Sequence, residues 1–267
     1  MRSWRPSAFL QASIALHVGA ILMLVLRPAD WPWALAVVVL DHVAITFAGL
    51  WPRSTLLGPN LVRLPAEAIA RGEVALTIDD GPDPEVTPRV LELLREADAK
   101  ATFFCIGERA LRHPDLCRSI VASGHAIENH GQRHCNHMAL LGYRSWLREV
   151  GDAQRTLTTL TGRPPRYFRA LAGLRNPFLD PALARLDIEL AAWTRRGFDT
   201  RVGDPERVFA RLSANLAAGD IVLLHDGHSA RTASGTPVIL EVLPRLLREF
   251  SARGLVPVTL ASACRRT

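Results

Sequence analysis

The sequence predicts an α/β protein, an incomplete or distorted (β/α) barrel of about seven parallel strands, preceded by an N-terminal transmembrane helical hairpin. Two observations predict this architecture. The first fifty of the 267 residues are far more apolar than the rest, and from residue 73 short apolar runs alternate with amphipathic stretches. Strands that alternate with helices form parallel sheets covered on both faces, and about seven such units are enough to build an open barrel.

Two apolar segments open the chain and predict a membrane anchor over residues 1–52. Ala8 to Leu26 carries no formal charge, and Pro32 to Leu50 is interrupted by Asp41 and His42. Each segment is long enough to cross a hydrocarbon core of about 30 Å, and tryptophans lie at the segment ends, as is typical of membrane interfaces. A single uncleaved span and a secretory signal peptide are the alternatives. Because an acid at mid-membrane is costly, Asp41 is expected to pair with His42 or His17.

Basic residues on the flanks predict the side of the membrane. Arg2 and Arg5 precede the first segment, and Arg53 and Arg63 follow the second. Because arginines accumulate on cytoplasmic flanks, two spans would place the following domain on the cytoplasmic face of a bacterial inner membrane. A single span would place it in the periplasm, and Arg27 in the connecting loop makes the charge difference small.

The net charge of +6 does not predict nucleic-acid binding. Lys100 is the only lysine, and the arginines are scattered among acids rather than clustered into a basic surface. We therefore expect no nucleic acid as a partner, and the apolar N-terminal segments indicate a membrane instead.

After a linker predicted over residues 53–72, residues 73–267 are predicted to form the catalytic domain. The linker is indicated by three prolines and two glycines within residues 51–72. The predicted strands are 74–78, 101–106, 126–128, 167–168, 189–193, 221–224 and 255–260, and the predicted helices are 87–96, 114–123, 145–161, 180–186, 205–218 and 237–253.

Two adjacent carboxylates, Asp79 and Asp80, follow the first predicted strand. Neighbouring side chains of an extended chain point to opposite sides, so one carboxylate could bind a metal while the other faces a substrate water. A plain turn is the alternative, because the Asp-Gly-Pro sequence that ends at Pro82 favours turns.

Three histidines complete the inventory of a mononuclear metal hydrolase. His130 and His134 are four residues apart, which would place both rings on one side of a helical turn, a spacing common among zinc ligands. His225 ends the apolar run that begins at Ile221, and a histidine titrates near neutrality, as general acid catalysis requires. Surface histidines and a polar residue at a strand end are the alternatives. His137 would point away from the pair.

These segments resemble the motifs of the polysaccharide deacetylase family with the NodB homology domain, carbohydrate esterase family 4. Thr77-Ile-Asp-Asp-Gly-Pro82 matches the first motif with one change, His130-Gly-Gln-Arg-His134 matches the second, and the segment from Asp220 to His225 matches the last. The resemblance covers about Glu73 to Ala261, which is nearly the whole predicted catalytic domain.

The resemblance implies a metal-dependent enzyme that removes an N-acetyl or other small N-acyl group from an amino sugar, in a glycan or a lipid-linked saccharide. By similarity, Asp79 would be the general base and His225 the general acid. Asp80, His130 and His134 would bind a divalent metal, with Zn²⁺ favoured and Co²⁺ or Ni²⁺ tolerated.

The remaining motifs depart from the family pattern. Arg169 would orient the base, but the two prolines expected after it are replaced in the stretch that ends at Gly173. Asp199 would tune His225, but it lacks its aromatic neighbour, and Cys135 replaces the proline expected after the second histidine. These departures leave a catalytically inactive, membrane-anchored glycan-binding protein as the alternative function.

Overall fold

The computed structural model describes residues 3–135 and 137–265, and its N-terminal part is a pair of apolar helices. Helix α1 spans Ala8–Leu26 and helix α2 spans Trp31–Leu50, joined by the 3₁₀ turn Pro28–Asp30. Leu10 packs against Ala48, so the start of α1 lies beside the end of α2 and the two helices form a hairpin. By length and composition both could cross a membrane, although a signal sequence near an N-terminus meets the same criterion.

A small polar cluster lies halfway along this hairpin. The buried carboxylate of Asp41 accepts a hydrogen bond from Ser13 Oγ at 2.6 Å, and His17 Nδ1 lies 3.8 Å from the same oxygen. The ring centroids of His17 and His42 are 5.2 Å apart. The expected neighbours are therefore present, but the hydrogen bond to Asp41 comes from a serine that the sequence did not single out.

The second part of the chain is an open barrel of parallel strands, as predicted. Its strands are β1 Glu73–Asp79, β2 Thr102–Cys105, β3 Ala126–Asn129, β4 Tyr167–Phe168, β5 Glu189–Leu190, β6 Arg195–Arg196, β7 Ile221–His225 and β8 Val256–Val258. The seven strands β5-β4-β3-β2-β1-β7-β6 lie side by side in that order, and β8 pairs with the first half of β1. The central position of β1 places its carboxyl end between those of β2 and β7.

Helices cover the outside of the sheet. They are α3 Ala66–Ala70, α4 Thr87–Glu96, α5 Gly107–Arg112, α6 Pro114–Ala122, α7 Tyr143–Thr161, α8 Leu179–Leu186, α9 Pro205–Ser213, α10 Val238–Ala252 and α11 Leu260–Ala263. Helix α10 shows why they pack there: Ile239, Val242, Leu243, Leu246 and Phe250 recur at helical spacing and are all buried. One apolar stripe of this kind is enough to fix a helix against a sheet.

Local sequence signals explain where the helices begin and end. Asp204 precedes α9 and its carboxylate accepts the N–H groups of Glu206 and Arg207 at 2.9 and 3.3 Å, while Pro205 starts the helix. Gly162 ends α7 with a φ of 71°, a left-handed conformation that glycine adopts without strain.

Several predicted segments differ from the structure. The helix predicted over residues 205–218 ends at Ser213, and the strand predicted over residues 255–260 spans only Val256–Val258 because α11 begins at Leu260. The predicted linker contains α3, and its Leu64 and Ala68 are buried in a core cluster, so part of residues 53–72 packs with the barrel. The predicted strand 189–193 ends at Leu190, because the following residues pair elsewhere: Ala192 N–H donates to Leu61 and Thr194 N–H donates to Ile221 beside β7. Residues 191–194 thus cross from one edge of the sheet to the other, and β6, which was not predicted, follows.

Candidate active site

The predicted site residues meet at the carboxyl end of the sheet. Asp79 ends β1 and is the direct partner of His225, which ends β7. His130 follows the end of β3, on the other side of β1. These residues, together with Asp80 and His134, line a cleft of about 280 Å³. Parallel strands leave such a cleft where their carboxyl ends meet.

The two adjacent carboxylates face the same site rather than opposite sides. Asp80 has a φ of 73°, so the chain turns back immediately after β1. Asp80 Oδ1 lies 3.1 Å from Nε2 of His130 and 3.1 Å from Nε2 of His134, and Asp79 Oδ2 lies 3.8 Å from His130 Nε2. The expectation of opposed side chains is wrong because it assumed an extended backbone at Asp80.

The histidine pair lies on a loop, so the prediction of a helical turn is wrong. Gly131 and His134 have φ values of 86° and 58°, which no helix allows. The buried carboxylate of Glu149, on α7, accepts the N–H groups of Arg133 and His134 at 2.6 and 3.0 Å and holds the loop in shape. The two imidazole centroids are nevertheless only 4.7 Å apart.

Asp80, His130 and His134 form a set that could hold a divalent metal. One ligand atom from each lies within 4.8 Å of the others. His130 Nδ1 donates its hydrogen to the Arg169 carbonyl at 2.8 Å, so the neutral ring would offer the lone pair of Nε2 to an ion held by the set. Burial alone would raise the pKa of Asp80, but its hydrogen bonds with His130, His134 and His228 lower it well below the usual range. Two imidazoles and one ionised carboxylate are a donor set typical of zinc.

Asp79 is held by a fully buried arginine. Arg169 Nη1 donates to Asp79 Oδ1 at 2.7 Å and to Thr77 Oγ1 at 2.8 Å, and Nη2 donates to the Ala192 carbonyl at 2.9 Å. The guanidinium also lies 4.0 Å from the ring centroid of Phe104. The ion pair fixes one oxygen of Asp79 and leaves Oδ2 on the side of His130.

His225 is held in the same manner by Asp199. The fully buried carboxylate accepts the backbone N–H of His225 at 2.7 Å and its ring Nδ1–H at 2.9 Å. Burial would lower the pKa of His225, but the charge and hydrogen bond of Asp199 raise it to about 9. The ring is therefore protonated at neutral pH, with Nε2 free to donate.

Comparisons with known proteins agree with this geometry. The family model described as polysaccharide deacetylase matches residues 67–191. A peptidoglycan-N-acetylglucosamine deacetylase of Bacillus cereus is 32% identical over 194 residues, which cover 72% of this chain and 88% of the relative. The chain belongs to the polysaccharide deacetylase family. The predicted resemblance is thereby confirmed.

Two further comparisons add a second relative with a named activity and a solved structure of the same fold. A chitooligosaccharide deacetylase of Azorhizobium caulinodans is 34% identical over 158 residues, or 59% of this chain and 75% of the relative. The crystal structure of a family 4 carbohydrate esterase pseudoenzyme from Bacillus anthracis superposes with a TM-score of 0.68 at 22% identity, covering 77% of this chain and 68% of the other. At that identity the likeness shows the fold alone, and it confirms the open barrel.

The sequence did not indicate His228, which also contacts the candidate metal ligand Asp80. His228 Nδ1 lies 3.2 Å from Asp80 Oδ2, and Arg109 Nη2 donates to His228 Nε2 at 2.8 Å. Arg109 also donates to the Asp80 carbonyl at 2.9 Å. His228 lies three positions after His225, so the closeness of both histidines to the end of one strand was the available signal.

The sequence also did not indicate Asp226, whose position explains why the first motif has a glycine at position 81. Its buried carboxylate accepts hydrogen bonds from Thr87 Oγ1 at 2.5 Å and from Gly227 N–H at 2.8 Å, and burial raises the pKa of Asp226 to about 7. A Cβ on Gly81 would lie 2.5 Å from that carboxylate. Glycine is therefore required for the turn that carries Asp80 to pack against β7.

Two residues considered from the sequence lie outside the set. Cys135 is partly buried and packs in the cluster of Met138 and Trp146, which is a structural role. His137 is exposed, and the metal-binding set found among the described residues of this cleft does not include it.

Proposed function

We propose that this chain is a metal-dependent deacetylase that removes an N-acetyl, or another small N-acyl group, from an amino sugar. The observation that carries the proposal is the convergence of Asp79, Asp80, His130, His134 and His225 on one cleft, from segments far apart in the sequence. The named substrates of the relatives, peptidoglycan N-acetylglucosamine and chitooligosaccharides, are N-acetylated sugars of this class.

Asp80, His130 and His134 would hold the metal, with Zn²⁺ suited best and Co²⁺ or Ni²⁺ acceptable. When bound, such an ion supplies a Lewis acid for the acyl carbonyl and lowers the pKa of a coordinated water toward about 7. His130 is oriented for this task by its hydrogen bond to the Arg169 carbonyl.

Asp79 and His225 would move the protons. Asp79 takes a proton from the water that attacks the acyl carbon, because Arg169 fixes one of its oxygens and leaves the other free to accept. His225 then donates its Nε2 proton to the sugar nitrogen as the carbon–nitrogen bond breaks, so that the products are a carboxylate and a free amine. Asp199 keeps His225 charged until that step.

The hairpin supports a substrate presented at a membrane. Leu171 and Ala172 line the cleft, and the same loop continues into Arg175, whose N–H donates to the Gly49 carbonyl at the end of α2 at 3.1 Å. A Cβ on Gly173 would lie 2.4 Å from Cβ of Pro52. The wall of the cleft therefore packs directly on the end of the predicted membrane anchor.

From this contact we infer that the cleft lies close to the lipid surface when both helices are in a bilayer, and that the substrate is a lipid-linked saccharide. The basic flanks of the two spans support a catalytic domain on the cytoplasmic face of the inner membrane, where a polymer of the outer wall does not reach. A reporter fused after residue 267 should be active in the cytoplasm. Activity of that reporter only in the periplasm would contradict the two-span topology and favour a single span.

The deacetylase proposal is tested with the full-length protein in detergent micelles. Acetate release from N-acetylated amino sugars is measured for the wild type, Asp79→Asn and His130→Ala, with Asp98→Asn, an exposed residue, as the matched control. Asp79→Asn should retain bound metal and lose turnover by about 10²–10⁴-fold, whereas His130→Ala should lose both metal and turnover. Full turnover in either variant would contradict the assigned roles.

The alternative function is glycan binding without catalysis. Its support is the altered third and fourth motifs. Stoichiometric metal in a wild-type protein that hydrolyses no N-acylated sugar would favour that alternative over the deacetylase.

A further inference from the structure

The wall of the cleft carries an arginine that has no acceptor in the described part of the chain. Arg196 ends β6 and lines the cleft beside Asp79, Asp80 and His225. Its guanidinium lies 5.2 Å from the ring centroid of Trp193 and 4.9 Å from that of Phe198. Its Nε is buried without a hydrogen-bond partner. The two aromatic rings therefore hold the guanidinium in place, and its N–H groups remain available to an acceptor.

The two buried arginines of the domain are used differently. Arg169 donates to Asp79 and to two backbone carbonyls, and Arg175 donates through both Nη groups to the carbonyls of Ser54 and Gly58. The Nε of Arg175 is buried without an acceptor, like that of Arg196, but the rest of its guanidinium is bonded by the fold. Arg196 differs because none of its nitrogens has an acceptor among the described residues, and unpaired donors are unfavourable, which indicates a group that is supplied from outside.

The acids near Arg196 are paired with other residues and do not neutralise its charge. Asp79 is paired with Arg169, and Asp199 is paired with His225. Arg201 lines the same cleft, is exposed, and its side chain forms no hydrogen bond or ion pair with the residues that the structure describes. Two guanidinium groups consequently face the substrate space beyond the reacting centre.

We propose that Arg196, assisted by Arg201, forms a subsite for a phosphate group carried by the same sugar whose N-acyl group is hydrolysed. The planar fork of arginine matches phosphate oxygens in a bidentate manner. A phosphate that joins a sugar to a lipid would be such a group, and so would the monophosphate of a soluble sugar. The inference rests on the proposed deacetylase function and narrows its substrate class.

The first test compares two soluble substrates and one lipid-linked substrate in the zinc-loaded, full-length protein. They are the methyl glycoside of N-acetylglucosamine, N-acetylglucosamine 1-phosphate, and N-acetylglucosamine joined through a phosphate to a polyisoprenoid in micelles. Arg196→Gln should lower kcat/KM for both phosphorylated substrates, mainly through KM, about 10- to 100-fold more than for the methyl glycoside. A preference of the wild type for the lipid-linked form over the soluble monophosphate identifies the source of the phosphate.

Arg207→Gln is the matched control, because Arg207 is exposed on α9, away from the cleft lining. Arg207→Gln should keep the wild-type ratio of kcat/KM for each phosphorylated substrate to kcat/KM for the methyl glycoside. An equal loss on neutral and phosphorylated substrates in Arg196→Gln would overturn the subsite and leave a structural role. A thermal unfolding curve for each variant separates these losses from misfolding.

A binding measurement decides the inference independently of turnover. Calorimetric titration of the zinc-loaded Asp79→Asn protein with N-acetylglucosamine 1-phosphate is compared with the Asp79→Asn, Arg196→Gln double variant. At least tenfold weaker binding in the double variant supports the subsite even if the wild type hydrolyses nothing, a result that would overturn only the deacetylase proposal. Equal binding in the two proteins overturns the subsite even if the wild type is a deacetylase.

Discussion

Replacement of Asp199 by asparagine should move the alkaline limb of the pH–rate profile. Asp199 accepts both the Nδ1–H and the backbone N–H of His225, at 2.9 and 2.7 Å, and raises the pKa of that ring from its ordinary 6.5 to about 9 against the opposing effect of burial. As a general acid His225 must be protonated, so activity is lost as pH rises through this pKa. In Asp199→Asn the lowering of this pKa by burial is opposed only by the smaller effects of the Asp79 and Asp80 charges, and the limb should move down to about the ordinary pKa of 6.5.

The size of the effect follows from the protonated fraction. At pH 7.5 a group with a pKa of 9 is about 97% protonated and one with a pKa of 6.5 about 9%, so kcat should fall about tenfold or more. At pH 5.5 the same substitution should cost far less. The assay is acetate release between pH 5 and 10, with Asp98→Asn as the control and an unfolding curve to detect the loss of one buried hydrogen bond. An unmoved alkaline limb, or an equal loss at every pH, would refute the role of Asp199.

Three further predictions concern the frame around the site. Arg169→Met should destabilise the fold by about 3–5 kcal/mol, because it leaves the Asp79 carboxylate buried and unpaired, and denaturant unfolding measures this; a loss under about 1 kcal/mol would contradict it. Gly173→Ala should lower the free energy of unfolding by about 1–3 kcal/mol more than Gly162→Ala does. Both glycines have a φ above 70°, but only at Gly173 would the added Cβ contact Pro52 and Trp193. Equal midpoints of urea unfolding for the two variants would refute the packing of this loop on the hairpin. Chelation of the metal should lower the thermal midpoint of the wild type and leave that of His130→Ala unchanged, because only the wild type holds an ion to lose; equal shifts in the two proteins would place the ion elsewhere.

The fold was predictable because its periodic segments are long. The helix predicted over residues 87–96 has the bounds that the structure shows, and the helix predicted over residues 145–161 ends where α7 ends. Elements that depend on distant partners were not predictable. Thr194 pairs with Ile221 rather than with the strand beside Leu190, and no local pattern indicates that change of partner.

The sequence predicted which residues would form the candidate site, but not how they are arranged. The pairing of Asp79 with His225 is a matter of strand register, which a sequence does not show. His130 and His134 do converge, but a buried glutamate on α7 places them, not a helical turn. The sequence did not indicate Arg196, because only the folded structure shows that its buried Nε has no acceptor in the part of the chain that is described.

The central claim is that Asp80, His130 and His134 hold a single ion on which deacetylation depends. The most direct measurement is acetate release from an N-acetylated amino sugar by metal-stripped protein during titration with Zn²⁺. Activity should be absent without metal and should rise linearly to a plateau at one equivalent per chain. Full activity in the stripped protein, or a plateau that persists in Asp80→Ala, would contradict the account.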